Sequence, residues 1–251
     1  MLYFYHFTFF RQYTLFFEKR KQKAKEFLGR VSLAKGLGLW YHNREIEKKK
    51  QRGLCMAKLY FRYGVMGSSK SAQALITKFN YEEQGMRVWL MKPAADTRYG
   101  ADKVHSRIGL EQPADVIDDD MDLYEVFRDR EREFYDVIIV DEAQFLQPAH
   151  VEQLREIVDY YNVPVFCFGL RTDFRTRLFP GSARLFELAD SVTELKTVCT
   201  CGGKAMVNAR IDAEGRVVTE GEQFLLGGNE SYRPMCYKCW KKAALESKSE
   251  K

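Results

Sequence analysis

Eight consecutive residues, Gly64-Val65-Met66-Gly67-Ser68-Ser69-Lys70-Ser71, combine small side chains with one lysine and a closing hydroxyl. That combination suits phosphate. Small residues let backbone N–H groups turn inward toward phosphate oxygens, and a helix starting at the lysine adds partial positive charge. In such a loop Lys70 reaches the β- and γ-phosphates of ATP, and the Ser71 hydroxyl holds Mg²⁺. The stretch departs from G-x-x-x-x-G-K-[ST] at one place, because Ser69 stands where the second glycine belongs. If Ser69 takes a positive φ there, it carries strain of about 1 kcal/mol that glycine avoids. The competing reading is a Gly/Ser-rich strand-to-helix turn with a solvated lysine. A second element favours phosphate: the apolar run 135–140 ends in Asp141-Glu142-Ala143-Gln144. An acidic residue at the end of a buried strand is where a phosphate-loop protein organises its Mg²⁺.

Cysteine spacing gives the other chemical signal. Of the cysteines at 55, 167, 199, 201, 236 and 239, the last four form two close pairs, Cys199-Thr200-Cys201 and Cys236-Tyr237-Lys238-Cys239. A strand-turn-strand pattern around Asp212-Ala213-Glu214-Gly215 brings those pairs together. Four thiolates so arranged suit a closed tetrahedral Zn²⁺ site in a reducing compartment, with four free thiols as the alternative. Cys167 lies inside a strand candidate and reads as inert core. Residues 225–234, LLGGNESYRP, read either as a lid hinged by two glycines that excludes water from a small substrate or as a metal-stapled surface loop.

These groups need a scaffold, and from Lys58 onward strand and helix patterns alternate. Strand candidates are 58–63, 87–92, 114–117, 135–140, 163–169 and 191–197; helix candidates are 70–84, 121–133, 148–161 and 181–189. Such alternation predicts an α/β fold, a mostly parallel sheet covered on both faces, with the ligand site at the carboxyl ends of its strands. Two connections there are ambiguous. Asp96-Thr97-Arg98-Tyr99-Gly100 with Ser106-Arg107 reads as solvated loop or as a source of charge, from Arg98 or Arg107, for a phosphate or a subunit contact. In Gly169-Leu170-Arg171-Thr172-Asp173-Phe174 the last ring packs in the core or walls a nucleobase pocket.

The net charge of +5 is unevenly placed. Residues 1–55 hold 13 Lys/Arg against 4 acids, which leaves 27 against 31 in residues 56–251. Nine aromatics fall in residues 1–17, and Lys19-Arg20-Lys21 and Lys48-Lys49-Lys50 follow. This segment reads as a membrane-surface or targeting arm, or as no part of the working protein. The expectation is that translation starts at Met56, just before the first strand candidate; an intact mass beginning at Met1 would contradict it. No apolar run approaches the roughly 20 residues of a membrane span. Residues 196–240 carry six Lys/Arg against five acids, without the one-signed stripe that binding a nucleic-acid backbone demands. The expected division is 1–55 as an extension, 56–197 as the α/β domain, 198–244 as a metal-binding subdomain and 245–251 as a tail.

In order along the chain, GVMGSSKS, KPAADTRYG, SRIGLEQPA, VDEAQF, FGLRTDF, CTCGGKA and GGNESYRPMCYKC resemble the thymidine kinase family of the zinc-containing, P-loop type. The resemblance runs from Met56 to about Ala244. It implies a RecA-like α/β domain, a zinc subdomain with a lasso-shaped lid, and Mg²⁺-dependent transfer of the γ-phosphate of ATP to the 5′-hydroxyl of thymidine. By the same resemblance Glu142 is the general base, Asp141 holds the Mg²⁺ shell, and residues 64–71 with Asp141, Glu142, Ala143 and Gln144 cradle ATP. Met66, Phe145, Leu170 and Phe174 resemble residues lining the nucleobase pocket, Tyr232 the lid tyrosine opposite, and Asn208 a polar residue near the base. A cytoplasmic homotetramer of nucleotide salvage is implied. Ser69 and the C-x-C spacing of the first cysteine pair depart from the pattern, although bacterial relatives share that spacing. Three rivals stay open: a broader pyrimidine deoxynucleoside kinase, a zinc-ribbon nucleic-acid-binding ATPase, and a regulatory protein whose loop Ser69 has weakened.

Overall fold

Val137, Ile138, Ile139 and Val140 are all buried, and a strand apolar on both faces has to lie inside a sheet covered on both sides. The computed structural model describes residues 56–97, 100, 102–129, 135–223 and 231–249, all within the unit Met56–Lys251. The basic extension, Arg98, and residues 225–230 of the proposed lid therefore lie outside the described residues.

In chain order the first strands are β1 (Leu59–Tyr63), β2 (Val88–Pro93), β3 (Lys103–His105), β4 (Glu111–Pro113), β5 (Asp115–Ile117), β6 (Val137–Val140), β7 (Val165–Gly169) and β8 (Ser191–Glu194). The six that match sequence candidates form one sheet in the order β5-β2-β6-β7-β1-β8, and every neighbouring pair is parallel. The helices between them are α1 (Lys70–Glu82), α2 (Leu123–Asp129), α3 (Pro148–Tyr161) and α4 (Pro180–Leu188).

Strand periodicity divides the core. Val137 and Ile139 pack with Val88, Leu90, Phe166 and Phe168 on the face covered by Ala74 and Leu75 of α1. Ile138 and Val140 pack with Phe61, Met91 and Cys167 on the other, against Leu154 and Ile157 of α3, Leu123 of α2 and Leu185 of α4. Successive side chains point to opposite faces, so one short run serves both layers. Each fully buried aliphatic side chain contributes about 1.5–3 kcal/mol, and the stability of the fold is concentrated here. Burial also pushes the Cys167 thiol upward, which agrees with its reading as inert core.

Pro148 opens α3 at a position whose N–H would have no helical partner anyway. Asn162 ends it in the left-handed region at φ 54, and its Oδ1 accepts from the Ala57 N–H at 2.8 Å. The sequence candidate 121–133 corresponds to the shorter α2, and residues 130–134 lie outside the described set.

After β8 the architecture changes. β9 (Val207–Ile211), β10 (Val217–Val218) and β11 (Tyr232–Met235) form a small antiparallel sheet with β9 central, followed by α5 (Tyr237–Ser249). The predicted turn joins β9 and β10: Asp212 Oδ1 accepts from the N–H groups of Glu214 at 3.1 Å and Arg216 at 2.8 Å. The β3–β4 hairpin and α5 have no counterpart among the sequence candidates.

Candidate active site

β1 ends at Tyr63 and the chain turns through the octapeptide into α1. Gly64 is required there, because a Cβ would lie 2.3 Å from Ser68 Oγ and 2.5 Å from the Leu195 carbonyl oxygen. Gly67 has φ +77. Ser69 takes φ 58, ψ 29, the left-handed conformation in which a Cβ is strained. Within the loop the Ser68 N–H donates to the Val65 carbonyl at 3.3 Å. The buried Lys70 ammonium turns back and donates to the same oxygen at 2.9 Å.

The loop also leans on the cysteine region. Val65 is buried with Cys199 and Ala205 and packs against Met235, Cys236 and Cys239. The Met66 N–H donates to Asn208 Oδ1 at 2.7 Å, and Asn208 Nδ2 donates to the Thr172 carbonyl at 3.0 Å. Asn208 is therefore bonded at both ends of its amide to the backbone of two site loops.

Asp141 and Glu142 stand at the carboxyl end of β6. Burial, then the charge of Glu142, push the Asp141 carboxyl up to about 7, opposed by a hydrogen bond from the Ser71 hydroxyl. Among the described residues, Asp141 Oδ1 and Ser68 Oγ are buried side-chain oxygens without a hydrogen-bond partner. Glu142 has φ 50, a second left-handed non-glycine in the site. Its carboxylate accepts from Gln144 Nε2 at 2.6 Å, while Gln144 Oε1 accepts from the Leu170 N–H at 2.9 Å. Gln144 is almost wholly buried and fixes the acid relative to the rim of β7. Gly169 makes room for it, since a Cβ there would lie 2.9 Å from Gln144 Oε1.

The loop, the acid pair, Met66 and Leu170 open onto one cavity of about 280 Å³. Its far wall is the β3–β4 hairpin, including His105, Ser106 and Arg107. Lys92 anchors that hairpin: fully buried at the end of β2, it pairs with Asp96 at 3.0 Å and donates to the carbonyls of Gly100 at 3.0 Å and Lys103 at 3.3 Å. Lys92 was not among the sequence candidates; its signal was that it is the single charge in the strand VWLMKP.

Phe145, Phe174, Asn208 and Tyr232 do not line that cavity. Phe145 is half-buried and meets Phe179 edge-on at 5.8 Å. Phe174 is 1 % exposed, and the Arg210 guanidinium lies 3.8 Å from its ring centre. Arg210 also donates to the Tyr232 hydroxyl, at 2.7 and 3.0 Å. The structure thus gathers the candidates into a phosphate side and an aromatic side, joined through the Leu170–Phe174 loop and Asn208. Arg210 escaped the sequence reading; its signal was the polar alternation Asn208–Arg210 within the otherwise buried, apolar β9.

The sulfurs of Cys199, Cys201, Cys236 and Cys239 all lie within 4.8 Å of one another, and this cluster could hold a metal ion. The Cys201 and Cys236 sulfurs are 3.7 Å apart, close to the ~3.8 Å edge of a tetrahedron with Zn–S bonds of ~2.3 Å. Backbone N–H groups of Cys201 and Cys236 lower the Cys199 thiol to about 6, while side-chain bonds to Cys236 and Cys201 raise Cys239 to about 12. The Cys239 N–H, in the first turn of α5, faces the Cys236 sulfur at 3.4 Å.

A family model described as thymidine kinase matches residues 57–240. The thymidine kinase of Salmonella paratyphi A is 46% identical over 192 residues, covering 76% of this chain and 94% of that protein. That of Ruegeria pomeroyi is 47% identical over 189 residues, covering 75% and 96%. Among solved structures, the genome packaging NTPase of Sulfolobus turreted icosahedral virus 2 aligns with TM-score 0.38 at 17% identity, over 59% of this chain and 79% of that one. That likeness adds nothing to the sheet order already described.

Proposed function

The chain belongs to the thymidine kinase family, and on that premise we propose how its residues divide the work of phosphorylating thymidine with ATP. The observation that carries the assignment is that the phosphate loop and the Asp141–Glu142 pair open onto one cavity. Glu142 takes the proton of the 5′-hydroxyl. The freed oxygen lone pair forms the bond to the γ-phosphorus as the bond to the β–γ bridging oxygen breaks, and ADP leaves. A loose phosphoryl-transfer transition state needs mainly positioning and charge neutralisation, so a base held by Gln144 at a fixed angle suffices. Lys70 exchanges its bond to the Val65 carbonyl for oxygens of the β- and γ-phosphates.

The residues present fit the implied ions. Ser71 and the unpartnered Oδ1 of Asp141 offer the hard oxygens that Mg²⁺ takes, and the ion would neutralise triphosphate charge. Cys199, Cys201, Cys236 and Cys239 fit structural Zn²⁺. Met66, Leu170, Phe145 and Phe174 give the thymine ring and methyl group apolar walls, with Tyr232 opposite. Asn208 serves this pocket through the backbone of Met66 and Thr172. The working unit of this proposal is residues 56–197 with the metal subdomain 198–244, acting as a cytoplasmic homotetramer without nucleic acid.

Transfer of labelled γ-phosphate from Mg·ATP to thymidine tests the assignment. Glu142→Gln should lower turnover by roughly 10²-fold or more while nucleotide binding persists; near-normal turnover would remove Glu142 from its role. Thymidine, deoxyuridine and deoxycytidine compared as acceptors separate a thymidine-selective enzyme from a broader one.

A further inference from the structure

Arg210 sits in the centre of the small sheet at 4 % exposure, a costly place for a permanent charge. Its guanidinium touches three segments, two through its N–H donors and one through its face. Nε and Nη2 bond the Tyr232 hydroxyl, Nη1 donates to the Glu222 carbonyl at 3.0 Å, and Nη2 reaches the Gln223 carbonyl at 3.5 Å. Its flat face lies over Phe174, in the loop after β7. Tyr232 and Arg210 are directly paired across β11 and β9, so the contact is built into the strand register. From the other side Arg175 donates to the Gly221 carbonyl at 3.3 Å and pairs with the buried Asp173. Three successive carbonyls, 221 to 223, are thus gripped by two arginines from the two halves of the structure.

Stability alone does not call for this arrangement, because apolar side chains usually fill such a site at no lower stability than a buried charge. A buried guanidinium with fixed fork geometry does something apolar packing cannot: it sets the angle and separation of the groups it bridges. We propose that Arg210 is a positioning residue of the acceptor site, holding the Phe174 ring and the Tyr232 hydroxyl in one relation and thereby setting affinity for the nucleoside without touching it. The inference rests on the reading that those two side chains line the nucleobase pocket. Asn208, two residues earlier on the same face of β9, bonds the Met66 N–H. The strand therefore supports the phosphate loop and the aromatic wall through separate residues, and the two effects are separable.

Steady-state kinetics on the full chain, with metal content and melting temperature measured for each variant, test this. Arg210→Met keeps the stem and removes the fork; KM for thymidine should rise about tenfold or more, the loss expected when a hydrogen bond to a charged group goes, while KM for ATP stays within about twofold. Arg210→Lys should fall between, since an ammonium cannot reach all three segments. Tyr232→Phe should raise KM for thymidine, and Arg210→Met should add less in that background than in the native one. Unchanged KM for thymidine in folded Arg210→Met, or equal changes in both KM values and kcat, overturns the proposal. If Arg210→Met does not fold, an unchanged thymidine KM in Tyr232→Phe overturns it instead. Phe174→Ala separates the two levels. If it raises KM for thymidine and Arg210→Met does not, only the positioning role fails; if neither does, the pocket reading falls with it.

Discussion

The six-stranded sheet and the small sheet flanked by the four cysteines solve the same problem with different means. The first buries two continuous apolar layers, one on each face of β6. In the second, the described residues form two small clusters, Val65 with Cys199 and Ala205, and Ala209 with Val217 and Ala244. A few tens of residues cannot bury enough apolar surface to hold themselves, and small units of this kind are normally completed by a metal or a cross-link. The difference has a consequence for the site. Val65 belongs to the phosphate loop yet is buried in the weaker region, so the loop draws its support from a cluster of cysteines that could hold a metal ion.

With Zn²⁺ in that cluster, as proposed above, removing the ion should break the comparison open, and it is the largest effect expected. Structural Zn²⁺ in small domains contributes on the order of 10 kcal/mol of folding free energy. Chelation should release amide protons of 199–223 and 231–249 to fast exchange while 137–140 and 165–169 keep their protection. KM for ATP should rise with it, because Val65 and the Asn208 bond to Met66 lose their backing. Equal loss of protection in both sheets would mean that they form one cooperative unit.

The same contrast explains what the sequence disclosed. The large sheet was legible because its inner strands β6 and β7 are buried on both faces and therefore carry no charge along their length, as in Val137–Val140 and Val165–Gly169. The phosphate loop, the acid pair and the four cysteines were legible because each chemistry demands particular residues at short spacing. The β3–β4 hairpin was not: its strands are three residues long, and Glu111–Pro113 is exposed throughout. Helix α5 was missed because it starts at the second cysteine pair, in a lysine-rich stretch with little apolar content. Arg210 was hidden for another reason. Its partners are a tyrosine 22 residues away, two backbone carbonyls and a ring in the other half of the structure, and none of these has a pattern near residue 210.

Beside the large sheet the comparison sharpens at Asp141, a buried carboxyl that directly follows the wholly apolar strand β6. Its folded value lies near 7 against an ordinary 3.8, so the folded state holds this proton more tightly than the unfolded one. The stability it contributes is full below about pH 4 and is lost as pH rises through 7. Asp141→Asn should therefore stabilise the Mg²⁺-free protein on the order of 2 kcal/mol at pH 8, or roughly 5 °C in melting temperature, with the gain fading toward pH 4. Activity should be lost in the same variant. A gain of equal size at both ends of the pH range would remove burial of the charge as its cause.

The smallest effect tests whether the site also stores backbone strain. Ser69 has φ 58 at the entrance to α1, with an exposed side chain that makes no capping bond. Ser69→Gly removes the Cβ penalty of the left-handed region but gives the unfolded chain more freedom, and these terms oppose each other. Where the native φ is positive the first outweighs the second, so thermal unfolding should show a small net gain, about 0.5 kcal/mol. The Asn208 bond to Met66 and the Lys70 bond to Val65 already hold the loop around this residue. Relieving the strain should therefore leave KM for ATP within about twofold, and a larger fall in KM would show that Ser69 holds the empty loop away from its binding geometry.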